Sequence, residues 1–232
     1  MNPPVMIALI AIAHAVFAWS AIRRWQLLQI GQGENRFDKL EDRVLAVWNY
    51  AFKQEKMDYY QPAGWAHKLI FAGFITLTLR TLVLWGRGIY PSWNFFILGP
   101  AQPVGKVYEF AKDLVAILVV LGVSVFFYFR VIRPQKRMTL NKEAILILGI
   151  IFTMMITDMM YDGASMVLAV RQGEFCAPDS ALATVEQCHK IATITAPYPL
   201  GTEAHASFSF FPSPAGSAFA TAFRSLSAGT LV

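Results

Sequence analysis

The chain has 232 residues, 56% of them apolar, and a positive mean hydropathy, which excludes an ordinary water-soluble domain of this length. Its formal charge is +5. In so apolar a chain the placement of the basic residues matters more than their sum, and a nucleic-acid partner is not expected. Cys176 and Cys188 stand apart from any CxxC pair or histidine at zinc spacing, so neither a zinc nor an iron–sulfur site is expected within the chain.

Four segments supply the roughly 20 apolar residues that a helical membrane span requires. They are 4–22, 64–86, 108–129 and 144–170. Lipid offers no partners to open backbone groups, so each is expected to be helical. The first has no basic residues ahead of it, and Arg23 and Arg24 follow it, so it reads as a retained anchor and not as a cleaved leader. The expected fold is all-α, an integral membrane bundle of four spans over residues 1–175. Residues 176–232, rich in Ser, Ala, Pro and Gly, are expected to form a loop-rich tail.

The loop between spans one and two carries Arg23, Arg24, Arg36, Lys39, Arg43, Lys53 and Lys56, and the loop between three and four carries Arg130, Arg133, Lys136, Arg137 and Lys142. The intervening loop has only Arg87 and Lys106. By the positive-inside rule the two basic loops are cytoplasmic, which puts the N-terminus, the 87–107 loop and the tail outside, in a bacterial inner membrane. Within the first basic loop, Phe37, Leu40, Val44, Trp48 and Phe52 recur at helical spacing. That stripe predicts a helix lying along the inner lipid surface. An outward tail would expose Cys176 and Cys188 to an oxidising compartment, where a disulfide closing a short loop is expected.

Ionisable residues at membrane depth are costly and are functional candidates by default. Arg80 lies 13 residues beyond His67 in span two, about 20 Å along a helix axis. With alternating spans, Arg80, Asp113 and Asp162 share the outer half, and Asp158 lies near mid-membrane. Arg80 can pair with a carboxylate, with Asp113 the first choice because spans two and three are joined by a short loop. It can instead face an anionic cofactor group such as a haem propionate, or snorkel to the interface. Asp158 or Asp162 is a candidate for proton transfer. His14 and His67 are each candidate haem-iron ligands through a neutral imidazole, against the alternatives of a hydrogen-bonded core residue and an interfacial one. Their offset in depth argues against a shared iron. His189 and His205 have no ligand pattern around them and read as surface residues.

The succession "GWAHKLIFAGFITLTLRTLVLWGRG", "YEFAKDLVAILVVLGVSVFFYFRVIRP" and "LNKEAILILGIIFTMMITDMMYDGA" resembles the N-terminal membrane domain of the heterodisulfide-reductase-related iron–sulfur oxidoreductases. That domain is similar in turn to the gamma subunit of respiratory nitrate reductase. The resemblance implies a five-span bundle that carries haem b, exchanges electrons with a quinone, and is joined to a cytoplasmic domain with iron–sulfur clusters. It implies that His67 is a haem ligand; it supports His14 less. No fifth span and no cluster cysteines are visible, so the clusters are expected in a domain beyond this chain or in a partner.

The function expected is therefore electron transfer between membrane quinone and a cytoplasmic iron–sulfur or flavoprotein partner, with no catalytic residue assigned. The alternative is a cofactor-free membrane anchor for a soluble oxidoreductase. A small transporter is disfavoured, because neither repeated halves nor a pair of Gly/Pro-broken helices is visible.

Overall fold

In a computed structural model of the chain, residues 3–31, 37–59, 61–134, 141–177, 181–197 and 210–232 are described. Arg36, Lys136, Arg137 and His205 lie outside these. Among the described residues eight α-helices follow in order: α1 (Pro3–Leu28), α2 (Leu40–Val47), α3 (Ala63–Ile89), α4 (Pro103–Phe127), α5 (Lys142–Phe175), α6 (Val185–Thr195), α7 (Pro214–Phe223) and α8 (Ala228–Leu231). Among the described residues, α1, α3, α4 and α5 are long and apolar enough to cross a membrane. Their starts carry the expected local signals. Pro103 opens α4 at a position where its missing N–H costs nothing, and the Asn141 side chain caps α5 by accepting from the Glu143 amide at 3.0 Å.

α3, α4 and α5 pack together, with α4 antiparallel to both neighbours. Their common core is Ala116, Val119 and Val123 of α4 against Leu148, Met155 and Met159 of α5, with Ile70 and Leu77 of α3 alongside. Gly73 lets α3 approach α4 closely, since a Cβ there would run into the Val119 side chain. α1 lies at the edge of the bundle with no buried residue. It runs antiparallel to α3, with Met6 close to Gly88 and His14 edge-on to Trp85 at 5.8 Å.

The first basic loop folds into α2, which continues as a π-helical turn over Trp48–Phe52. The apolar stripe forms on this helix and stays exposed, Val44 at 66% and Trp48 at 54%. In the 90–102 connection the Trp93 indole lies against Gly86, and Arg87 donates to the Trp93 carbonyl and to the Asn94 amide oxygen at 3.2 and 2.9 Å.

The tail departs from the loop-rich expectation: among its described residues it forms α6, α7 and α8. Local capping explains part of this, because Thr184 and Gln187 form a reciprocal capping box at the start of α6. Cys176 and Cys188 form a disulfide, Cα atoms 5.7 Å apart, that ties the end of α5 to α6. Apolar contacts do the rest: Leu168 and Phe175 of α5 enclose Ile191 of α6 and Ala228 of α8.

α7 is held most tightly. At Gly163 of α5 a Cβ would lie 2.6 Å from Phe219 Cβ and 2.9 Å from both the Ala220 nitrogen and the Gly216 oxygen, so the two backbones meet there. Gly149, on the same helix, has nothing within 4 Å of its Cβ position. Gly163→Ala should therefore lower stability by about 1–3 kcal/mol through overpacking, whereas Gly149→Ala should raise it by up to about 1 kcal/mol through helix propensity. Unfolding in detergent checks both; equal effects would show that α7 does not press on Gly163.

Candidate functional site: a buried charge network beside a short helix

Residues three and four apart on a helix share a face. Glu109, Lys112 and Asp113 therefore point from α4 toward Asp158 and Asp162 of α5, and Arg80 of α3 closes the third side. Lys112 and Asp113 are 0% exposed and Arg80 is 3% exposed. Arg80 donates through Nε to Asp158 Oδ1 at 3.1 Å and through Nη2 to Asp162 Oδ1, while its Nη1 lies 3.5 Å from Glu109 Oε1. Lys112 Nζ binds Asp162 Oδ2, Glu109 Oε2 at 2.9 Å and Asp113 Oδ1 at 3.1 Å, with Asp158 Oδ2 at 3.9 Å. The Tyr161 ring lies beside the Arg80 guanidinium, 5.9 Å from its carbon.

This geometry corrects the expected pairing. Asp113 was the first choice for Arg80, but the ion pairs of Arg80 go to α5 and to Glu109. Lys112, one residue before Asp113, takes up Asp113 Oδ1. The other oxygen, Oδ2, accepts from Ser213 Oγ at 2.7 Å and from the amides of Ala215 and Gly216 at 2.9 and 3.2 Å. Asp113 thus caps the N-terminus of α7, where orphan amides and the positive end of the helix dipole favour an anion. The far end of α7 is met by a cation: Arg171 Nη1 donates to the carbonyls of Arg224 and Leu226 at 3.1 and 2.9 Å. Of the roles open to Arg80, the structure supplies the pairing one, and its burial excludes snorkelling.

Glu109 and Lys112 were missed from the sequence. Their signal was present, since "YEFAKD" places Glu109, Lys112 and Asp113 on one helical face. Basic and acidic residues so close to a span boundary read equally well as interfacial.

The histidines are not brought together. His67 sits near the start of α3 against the edge of Phe126, ring centroids 6.4 Å apart. His14 is at the level of Trp85, 18 residues or about 27 Å farther along α3. Its Nδ1 lies 2.8 Å from the Ile10 carbonyl. His189 is exposed on α6, whose Ile191 packs on the far end of α5. No other described histidine reaches the level of His67. Among the described residues there is no cluster of three or more His, Cys, Asp or Glu arranged to hold a metal ion.

Comparison with known proteins gives two relatives. The chain is similar to the probable iron–sulfur-binding oxidoreductase FadF of Bacillus subtilis, 27% identical over 164 residues, 70% of this chain and 23% of that protein. It is also similar to the EtfAB:quinone oxidoreductase of Syntrophomonas wolfei, 24% identical over 177 residues, 72% of this chain and 22% of that protein. The chain spans less than a quarter of the length of either. No family profile matches it, and no solved structure does.

Removing one member of a buried ion pair leaves the other charge uncompensated and costs about 3–5 kcal/mol. Arg80→Leu and Asp162→Leu should each destabilise by roughly that much, and the double variant by clearly less than their sum. A double-mutant cycle on unfolding in detergent reads the coupling; simple additivity would mean that the pair contributes nothing.

Proposed function

We propose that this chain is the membrane-embedded part of an oxidoreductase that passes electrons between membrane quinone and an iron–sulfur or flavoprotein partner. The observation that carries the reading is the similarity to two oxidoreductases, one named for iron–sulfur binding and one for quinone, over 70% or more of a chain with four helices of spanning length. The network of Arg80, Lys112 and their carboxylates suits a lipid-embedded bundle, where charges must be answered within the protein.

The two ends of the bundle then have different tasks. Arg130, Arg133, Lys53, Lys56 and Lys68 gather at the end where α3 begins, with His67 and the exposed stripe of α2. Under the positive-inside rule this is the cytoplasmic end in a bacterial inner membrane, suited to lipid headgroups and to an electron partner. His67 is the residue of this chain that would hold haem b, through an imidazole nitrogen. When bound, such a haem would carry single electrons between partner and quinone. His14, at the opposite level, would belong to a different site if to any.

A second reading, a cofactor-free anchor for a soluble oxidoreductase, is favoured because no other described histidine lies at the level of His67. Reduced-minus-oxidised spectra of the protein purified from membranes separate the two. The haem reading expects a b-type absorbance that His67→Ala abolishes. If no such absorbance appears and His67→Ala leaves electron transfer in the assembled complex unchanged, the anchor reading holds.

The orientation has its own test. Reporter fusions at Leu45 and Phe95 should report cytoplasmic and external locations respectively. The reverse pattern would place His67 away from any cytoplasmic partner.

A further inference from the structure

Among the described residues, the charges of the buried network do not balance. Four carboxylates, Glu109, Asp113, Asp158 and Asp162, face two cations, Arg80 and Lys112. The N-terminus of α7 adds about half a positive charge, which Asp113 uses. About one and a half negative charges remain in a space closed to water on most sides, where an uncompensated charge is expensive. One bound proton would bring the network near neutrality.

The contacts single out one carboxylate to carry it. Asp162 touches both cations, as does Glu109, and Asp113 has Lys112 together with three donors of α7 and its approach. Among the described residues Asp158 accepts one hydrogen bond, from Arg80 to Oδ1, and its Oδ2 is buried without a hydrogen-bond partner, 3.9 Å from Lys112 Nζ; Asp113 Oδ1 also lacks a hydrogen bond, but it lies nearer to Lys112 Nζ, at 3.1 Å, and on a side chain with no exposure. Asp158 keeps 13% of its side chain exposed and Glu109 12%, against 4% for Asp162 and none for Asp113, but Glu109 has both of its oxygens in ion pairs. Asp158 is both poorly compensated and partly accessible.

We propose that Asp158 is a proton-exchange site: its carboxylate takes up a proton to become a neutral carboxylic acid and returns it to a water or ligand reaching its exposed side. Among the described residues, the other ionisable groups facing it are Arg80 from α3, Tyr108, Glu109 and Lys112 from α4, and Tyr161 and Asp162 on its own helix; Ser213 and α7 contribute no ionisable group. Arg80 and Lys112 between them make ion pairs with both oxygens of Glu109 and of Asp162 and with Asp113 Oδ1, which leaves Asp158 as the carboxylate with an unanswered oxygen and an exposed side. What the proton serves rests on the electron-transfer reading, in which each quinone reduced by two electrons takes up two protons. The location of the proton does not rest on it.

The experiment is infrared difference spectroscopy of the purified protein across pH, in H2O and D2O, following the C=O stretch that a protonated carboxyl has and a carboxylate lacks. An exchangeable band is expected that shifts with carbon-13 labelling of aspartate carboxyls and is lost in Asp158→Asn. In Glu109→Gln two cations face one carboxylate fewer. There the band should titrate at a pH lower by about one to three units, the range over which one neighbouring charge moves a carboxyl. Absence of the band over the pH range where the protein stays folded would overturn the proposal. So would a band insensitive to aspartate labelling, one that persists in Asp158→Asn, or an unchanged titration in Glu109→Gln. Should Asp158→Asn not fold, the labelled protein and Glu109→Gln still decide. The band requires neither haem nor quinone, so its loss and a lack of haem absorbance are separate outcomes.

Discussion

Burial of Arg80 and Lys112 among the carboxylates of α4 and α5 is the constraint on which the rest of the bundle depends. Apolar helices packed by Leu, Ile and Val can rotate about their axes at modest cost, because one greasy face resembles another. A guanidinium with Nε, Nη1 and Nη2 each directed at a carboxylate cannot. Asp162 receives both cations, from α3 and from α4, and so fixes the rotation of three helices about one point. Close packing at Gly73 then follows from that setting.

The same point decides where α7 goes. A ten-residue helix is too short to be stable by itself, and its sequence "PAGSAFATAF" has no charge of its own. It is held by its ends, Asp113 at the N-terminus and Arg171 beyond the C-terminus, each with the sign that complements the helix dipole. Gly163 and Gly216 allow the backbones to touch between these two anchors. The bundle is thereby sealed at the end where α3 finishes and α4 begins, and its other end is left to the basic loops, His67 and α2.

This polarity gives the electron-transfer reading its spatial sense. A redox partner docking at the basic end would meet His67 within the first turns of α3, while the carboxylates lie some four turns deeper. Electron and proton chemistry would then occupy different levels of one bundle, as is needed if quinone chemistry is to be kept apart from the partner. α1, which buries none of its residues here, leaves a broad apolar surface for lipid or for further protein.

Much of this was legible in the sequence, for reasons of length and period. Apolar runs of about 20 residues have one low-energy solution in lipid, so the four long helices could be placed, with ends off by up to six residues, and the spacing of Leu40, Val44, Trp48 and Phe52 was enough to forecast the stripe on α2 and its π-helical continuation, with Phe37 just ahead of the helix. That Arg80, Asp113 and Asp162 lie at similar levels could also be counted along the chain, whereas Asp158, expected deeper, proves to bond Arg80 as well. Depth, however, is not contact. Whether Arg80 faces Asp113 or Asp162 depends on the rotation of three helices, which no single helix encodes. The role of Asp113 depended on a segment 100 residues later in the chain that is too short and too polar in its flanks to announce itself. Helices of spanning length follow from the local run of apolar side chains, which the sequence by itself determined; the charge network and the seating of α7 arise from groups brought together over long separations, and only the tertiary structure decided them.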